Sequence, residues 1–205
     1  CIFTENSCAN YNFGGAICIE DGSGEKYTIK NSTFRKNNGG HSGAIYVGRP
    51  GLNLIDCEFE ENSAQTGGAI SIYHDNATIT NCNFTSNSAT NNGGAIYIAD
   101  DCHNADMSYC KFEDNTAASG KAIYADGSAD GKVSNCDLGG FTDLSASNEN
   151  LELTFTLSTD YAGIVVGNIE GAVGGSKAPI VGEDIKLEIF DSNGALVVGP
   201  ITGVT

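Results

Sequence analysis

The residues best suited to catalysis in this 205-residue chain are carboxylates spread over its first 115 positions. The candidates are Asp56, Glu58, Glu60, Glu61, Asp106, Glu113 and Asp114. Cleavage of a sugar polymer needs one carboxyl group as acid and a second as base or nucleophile, held at a fixed separation. Here the carboxylates do not recur at fixed positions of the repeat that most of the chain follows. The position of Glu60 holds Arg35 in the repeat 25 residues earlier and Thr85 in the repeat 25 residues later. Such variation is typical of a solvated surface, and we expect the chain not to be an enzyme.

Metal ligands are also sparse. Asp126, Ser128 and Asp130 form the first half of a D-x-S-x-D-G loop, a pattern that can hold Ca²⁺. The residues that follow, 133–136, fit a strand rather than the helix of an EF-hand, so a plain turn is the alternative. The three histidines occupy unrelated positions in loops: His41, His74 and His103. We therefore predict no cofactor and only this weak calcium candidate.

Most of the chain repeats one pattern, which residues 77–98 contain in full. The pattern is an alternating apolar run, Cys-x-Phe, an asparagine and Gly-Gly-Ala-Ile. The aromatic position holds Phe3, Phe34, Phe59, Phe84 and Phe112, then Leu138, at spacings of 31, 25, 25, 28 and 26 residues. Three residues after each phenylalanine stand Asn6, Asn37, Asn62, Asn87 and Asn115. Periods of this length indicate stacked units, each of which buries its apolar face against its neighbours.

The elements that carry the pattern are short strands. Apolar residues alternate in bursts, as Ile96 and Ile98 do around Tyr97, and no window has helical spacing. Strands that recur without a crossover helix predict an all-β, right-handed parallel β-helix of about five to six coils. Equivalent residues then lie about 4.8 Å apart. We predict a phenylalanine stack, isoleucine columns, and asparagines that turn inward and bond their copies.

Cysteines follow the same repeat. Five of the eight stand two residues before the aromatic position: Cys1, Cys57, Cys82, Cys110 and Cys136, with Ser32 in the second coil. There is no C-x-x-C pair, so we expect no zinc site. Disulfides between neighbours in the column stay open, because the coil spacing lies within the allowed Cα separation. Parallel side chains seldom meet the required torsion, and we favour buried thiols.

Two sets of outward residues are candidates for binding or modification. Tyr46, Tyr97 and Tyr124 share one repeat position, and such a row can stack on sugars or contact a partner protein. Packing between neighbouring strands is the alternative. N-glycosylation triplets begin at Asn31, Asn76 and Asn83. Asn76 is the strongest of the three, because Asn83 stands between two residues expected to be buried.

Charge excludes one class of partner. The net charge is −16, with 26 acidic and only 10 basic residues. Nucleic acid is therefore not expected as a partner. No stretch approaches 18 consecutive apolar residues, so we expect no membrane-spanning segment within this chain. The sequence starts inside a repeat, at Cys1, and we expect it to be a piece of a longer protein.

The composition changes after Ser145. Alternating segments at 151–157, 162–166, 184–190 and 195–198 are separated by turn residues, including Asp191-Ser-Asn-Gly194. These segments predict part of an immunoglobulin-like β-sandwich, since a complete domain has about 100 residues. The predicted domains are thus a β-helix over 1–145 and a partial sandwich over 150–205.

The combination of GGAI and FxxN in successive coils resembles the repeats of chlamydial-type polymorphic outer-membrane proteins and of adhesin-like surface proteins of methanogenic archaea. The resemblance covers residues 1–141 and departs at Lys121, which replaces the second glycine, and at Leu138, where FxxN is lost. The archaeal proteins often continue into immunoglobulin-like repeats.

The resemblance implies an extracellular, cell-surface adhesin-like protein in which this chain is a non-catalytic binding or stalk module for cell adhesion. Its implied partners are a glycan or protein on another cell, or neighbouring copies of itself. A structural cell-envelope or filament subunit is the first alternative, and a β-helix polysaccharide-degrading enzyme is the second.

Overall fold

The computed structural model describes residues 1–8, 13–20, 26–138, 144–146, 151–155, 169–173, 184–190 and 196–204. This part of the chain contains strands and no helix. The strands of the repeats are β1 (Ile2–Thr4), β2 (Ile17–Glu20), β3 (Tyr27–Lys30), β4 (Thr33–Arg35), β5 (Ile45–Gly48), β6 (Leu52–Ile55), β7 (Glu58–Glu60), β8 (Ser63–Thr66), β9 (Ile70–Ile72), β10 (Thr78–Thr80), β11 (Asn83–Thr85), β12 (Ser88–Asn92), β13 (Ile96–Ile98), β14 (Asp106–Ser108), β15 (Lys111–Glu113), β16 (Ile123–Ala125) and β17 (Gly131–Ser134). They are followed by β18 (Leu144–Ala146), β19 (Leu151–Phe155), β20 (Ile169–Val173), β21 (Asp184–Phe190) and β22 (Leu196–Val204).

Each of the second to fifth repeats gives one strand to each of three parallel sheets. The first sheet contains β1, β4, β7, β11 and β15. The second contains β3, β6, β10, β14, β17 and β19, and the third contains β2, β5, β9, β13, β16 and β18. Strands β8 and β12 pair in parallel at a corner. The predicted parallel β-solenoid is confirmed, with equivalent residues such as Phe34 and Phe59 directly paired.

The solenoid makes about four complete turns between the first and last strands of its first sheet, fewer than the five to six coils predicted. The sixth repeat forms no strand in that sheet. Its Asp137, beside Leu138, makes only an isolated bridge with Lys111. The second and third sheets each extend one strand further.

The interior consists of columns of like residues. Neighbouring phenylalanine rings have their centroids 4.8–4.9 Å apart and are within 8° of parallel. The isoleucine column behind Gly-Gly-Ala is fully buried at Ile45, Ile70, Ile96 and Ile123. Both predicted columns are confirmed. Each stacked ring pair adds about 1 kcal/mol to the free energy of burial.

The asparagine after each phenylalanine closes a corner. Asn62 donates from Nδ2 to Oδ1 of Asn87 at 2.9 Å, and its backbone N–H donates to the same oxygen at 3.1 Å. Nδ2 also donates to the carbonyl oxygen of Phe34 at 3.0 Å. The residue before each asparagine, such as Glu61, has a positive φ that turns the chain inward. The predicted asparagine ladder is confirmed, and it pairs backbone groups that the buried corner would otherwise leave unsatisfied.

The second glycine of each Gly-Gly-Ala-Ile step allows the coils to approach. A Cβ on Gly68 would collide with the carbonyl oxygen of Gly94 in the next coil. The first glycine serves a different purpose, because Gly93 has φ of 68°. The second glycine is therefore required by contact with the backbone of the next coil, and the first glycine is required by its own backbone conformation.

After the repeats, β19 pairs in parallel with β17 and antiparallel with β20. Strands β21 and β22 form an antiparallel pair. The first predicted sandwich segment, 151–157, thus contains a strand of the second solenoid sheet, and the segment at 162–166 lies outside the described residues. The sandwich and the two domain boundaries stay predictions.

Candidate functional site

The tyrosine row predicted at 46, 97 and 124 lies on the outer face of the third sheet. Tyr97 and Tyr124 are paired residues, and their ring centroids are 6.0 Å apart. Tyr46 is separated from Tyr97 by the coil that carries Ser71 in the same position. Tyr73 fills this gap, with its ring 5.0 Å from that of Tyr46 and 5.9 Å from that of Tyr97. The row is therefore continuous over four coils.

One pair of rings in this row is stacked, that of Tyr97 and Tyr124, whereas the Tyr73 ring is tilted by 30° to that of Tyr46 and by 51° to that of Tyr97. The Tyr97 and Tyr124 rings are 5° from parallel, and Tyr97 is only 9% exposed. The Tyr97 hydroxyl donates to Oδ2 of Asp126 at 2.8 Å. Burial raises the pKa of Tyr46, Tyr73 and Tyr97, so all three phenols stay neutral at physiological pH. These contacts suit packing between strands, and sugar stacking at the row stays a prediction.

Tyr73 was not found from the sequence. Tyr73 stands two residues after Ser71, so it does not share the repeat position of the other three tyrosines. A comparison of equivalent repeat positions therefore does not identify it. His41 lies at its edge, with Nδ1 3.4 Å from the Tyr73 hydroxyl and the rings nearly perpendicular. The only signal would have been that a small residue in an aromatic column leaves room for a neighbour.

The three candidate calcium ligands bind other groups of the protein. Asp126 accepts from the Tyr97 hydroxyl, and the Ser128 hydroxyl donates to Oδ1 of Asp100 at 3.0 Å. Oδ2 of Asp130 accepts from Nδ1 of the His103 ring at 2.7 Å. Within the described residues no group of three or more His, Cys, Asp or Glu side chains is placed to hold a metal ion. The calcium site stays a prediction.

His103 and Asp130 form an exposed ion pair when the imidazole is protonated. The hydrogen bond to Asp130, followed by its negative charge, raises the pKa of His103. Oδ1 of Asp130 also accepts from the backbone N–H of Asn104 at 2.7 Å. The contact links two loops at the corner between the third and second sheets, and the charges of Asp75 and Asp101 also raise the pKa of His103.

The three candidate glycosylation sites are all exposed. Asn31 and Asn76 have positive φ values of 48° and 61° at corners. Asn83 is on β11 and points outward, although its neighbours Cys82 and Phe84 are buried. Alternation along a strand explains this, because residues on either side of an inward position face solvent. Glycosylation stays a prediction at each site.

Three of the seven candidate catalytic carboxylates, Glu60, Glu61 and Glu113, are engaged in surface ion pairs. Arg35 contacts Glu60 at 3.1 Å and Glu61 at 3.4 Å. Lys111 contacts Glu113 at 2.8 Å along one strand. Side chains in these pairs are about half exposed, and such pairs add little to stability.

The cysteine column is present as buried thiols. Cys57, Cys82, Cys110 and Cys136 are each at most 7% exposed, and every described cysteine is a free thiol. The hydrogen bond with Cys82 lowers the pKa of Cys57 to about 7. For Cys82 the bond with Cys110 lowers the pKa, but the bond with Cys57 and burial together raise it to about 12.

Comparison with known proteins identifies the family. The model of the right-handed β-helix region matches residues 15–168, so the chain belongs to the right-handed β-helix family. Neither a curated protein nor a solved structure matches the chain. The described residues include no helix with the length and apolar character needed to cross a bilayer.

Proposed function

We propose that the chain is a non-catalytic, adhesin-like module of an extracellular cell-surface protein, which binds a glycan or protein on another cell. The observation that carries this proposal is the contrast between inward and outward positions of the same coils. Inward residues repeat as columns, whereas the outward position paired across β4, β7 and β11 changes from Arg35 to Glu60 to Thr85. A rigid scaffold with a variable outer face suits recognition of a partner.

The enzymatic alternative has weaker support. Its candidate Glu60 and Glu61 contact Arg35 rather than an acidic partner that could share a proton. Paired carboxylates with separated pKa values are what hydrolysis of a sugar polymer requires. A surface ion pair with an arginine provides neither a second carboxyl group nor a difference in pKa between two carboxyl groups.

Binding by the purified chain tests the proposal. The chain is applied to a glycan array and to intact cells, and saturable binding is the expected result. The double variant Tyr46→Ser/Tyr124→Ser removes two rings of the row, and Ser71 shows that serine fits this position in a coil. A matched control, Asn83→Ser/Thr85→Ser, changes the outer face of the first sheet instead.

Other outcomes would favour other functions. Ordered fibres without binding to cells would favour a structural envelope or filament subunit. Release of new sugar ends from a polysaccharide, abolished in Glu60→Gln or Glu61→Gln, would favour an enzyme. Absence of all three results would overturn the adhesin proposal.

For residues 150–205 we propose the start of an immunoglobulin-like module. The antiparallel pair β21–β22 supports this. A solution structure of the full chain in which these strands pack against a second antiparallel sheet is expected. Parallel coils that continue beyond β19 would contradict it.

A further inference from the structure

Four thiols form an uninterrupted column that the proposed function does not use. Cys57, Cys82, Cys110 and Cys136 occupy the same place in successive coils, the first three two residues before a stacked ring and Cys136 two residues before Leu138. Each thiol interacts with its neighbour in the column. Because the coils are in register, the sulfur atoms repeat at about the coil spacing of 4.8 Å.

This spacing distinguishes two kinds of sulfur chemistry. A disulfide needs two sulfurs about 2.05 Å apart and Cβ atoms about 3.8 Å apart, which a straight in-register stack does not provide. Two metal–thiolate bonds of about 2.3 Å placed in line span about 4.6 Å. The column therefore fits an ion between sulfurs better than a direct bond.

The backbone already supports negative charge on two of the sulfurs. The N–H of Cys57 donates to Sγ of Cys82 at 3.4 Å, and the N–H of Cys110 donates to Sγ of Cys136 at 3.3 Å. Hydrogen bonds to sulfur stabilise the thiolate and tune thiolate-bound metals. Four sulfurs in line, each used once as a ligand of a two-coordinate ion, form two neighbouring pairs.

Loss of the thiol protons leaves no carbonyl oxygen without a donor at the first pair. The Cys57 thiol donates to the carbonyl oxygen of Ile55 at 3.2 Å, and that oxygen also accepts from the N–H of Asn31 at 3.1 Å. The Cys82 thiol likewise donates to the carbonyl oxygen of Thr80 at 3.3 Å. That oxygen also accepts a backbone N–H from the preceding coil at 3.1 Å. Deprotonation of Cys57 and Cys82 therefore leaves neither buried carbonyl oxygen without a hydrogen-bond donor.

We propose that the column binds soft, two-coordinate monovalent ions, Cu⁺ or Ag⁺, with one ion between Cys57 and Cys82 and one between Cys110 and Cys136. Thiolate ligands select such ions, whereas structural Zn²⁺ requires four ligands in a tetrahedron. Each ion displaces two thiol protons to solvent and forms one S–M–S unit of net charge −1. No electron is transferred.

Ser32 occupies the cysteine position in the coil before Cys57, where the column of four thiols ends. It shows how serine fits this position. Its hydroxyl, at the cysteine position of the second coil, donates to the carbonyl oxygen of Lys30 at 2.9 Å. The structure thus accommodates serine in place of cysteine at this position. Serine variants of the column are expected to fold.

Titration with Ag⁺ tests the proposal, in a full-length background where Cys1, Cys8 and Cys18 are replaced by serine to remove thiols outside the core. The reduced protein is refolded from urea with Ag⁺ present, so that burial does not prevent entry. Native mass spectrometry is expected to show two tightly bound ions. Ultraviolet thiolate–metal absorption appears, and the unfolding midpoint rises by roughly 5 °C or more.

Matched variants locate the ions. Cys82→Ser and Cys110→Ser are each expected to lose one tight equivalent, and Cys102→Ser keeps both, because Cys102 is a buried thiol outside the column. No tight binding after refolding would overturn the proposal. Equal loss in Cys102→Ser, equal binding of Zn²⁺, or formation of disulfides in place of metal binding would also overturn it.

Discussion

Two corners of each coil satisfy the hydrogen-bonding groups of the turning backbone in different ways. At the corner after the first sheet, every complete coil uses a buried asparagine bonded to its copies, such as Asn62 on Asn87. At the corner between the third and second sheets, the loops 73–77, 99–105 and 126–130 have five, seven and five residues and use partly or fully exposed aspartates. There Asp75 accepts from the N–H of His103 at 2.8 Å, and Asp100 accepts from the N–H of Ser128 at 2.7 Å. Buried, repeated bonds hold the stack, whereas exposed, individual bonds tolerate change.

The largest expected contrast comes from removing an asparagine at each corner. Asn87→Ala leaves the Asn62 N–H, its side-chain amide and the Phe59 carbonyl oxygen without their partner, at a cost of about 4 kcal/mol in the free energy of unfolding. Asn104→Ala loses a solvated contact and places alanine at φ of 58°, which costs about 1 kcal/mol. Urea unfolding of both variants measures the difference. Equal losses would show that the buried ladder is no more important than the exposed loops.

A glycine at each corner gives a second contrast. Gly68→Ala puts a methyl group against the backbone carbonyl of Gly94, which can move only if two coils separate, and we expect a loss of about 3 kcal/mol. Gly127→Ala meets the end of the Asp100 side chain, which can rotate away at the cost of its exposed bonds to Ser128, so backbone strain and this contact together cost about 2 kcal/mol. Thermal unfolding of the two variants checks this order. A larger loss in Gly127→Ala would contradict it.

The tyrosine row and the irregular corner are joined by the hydrogen bond from Tyr97 to Asp126. Tyr97→Phe keeps the ring and removes this bond, and we expect a loss of about 1 kcal/mol. Tyr46→Phe, in the same row but less buried, is the control and is expected to change less. Chemical denaturation measures both. Indistinguishable variants would mean that water replaces the bond at no cost.

The smallest effect is the pH dependence of the irregular corner. The pKa of His103 is raised above its ordinary value of 6.5 by the bond to Asp130. Its contribution to stability is therefore fully present below pH 6.5 and is lost as pH rises through the folded-state pKa. The difference in unfolding midpoint between the protein and His103→Gln should shrink over this range. A difference that grows with pH would contradict the assigned pair, and NMR titration of the His103 ring measures its pKa directly.

The two corners also separate what the sequence predicts from what it does not. The phenylalanine stack, the isoleucine columns and the asparagine ladder could be predicted, because one residue type recurs at one position and stacking turns recurrence into contact. Tyr73 and the link from Asp100 to Ser128 could not, since neither belongs to a column. The partners of Asp126 and Asp130 depend on the path of loops with unequal lengths, which the spacing of residues does not specify.

The in-register pairing of Phe34, Phe59 and Phe84 makes the length of the rod adjustable in whole units. Excision of residues 59–83 would bring Phe84 onto Phe34 and Asn87 onto Asn37, and the internal columns would close without a gap. Duplication of the same segment would lengthen the rod by about 4.8 Å with no change to its interior. A protein of this design can therefore alter how far it reaches by gaining or losing copies of a 25-residue segment.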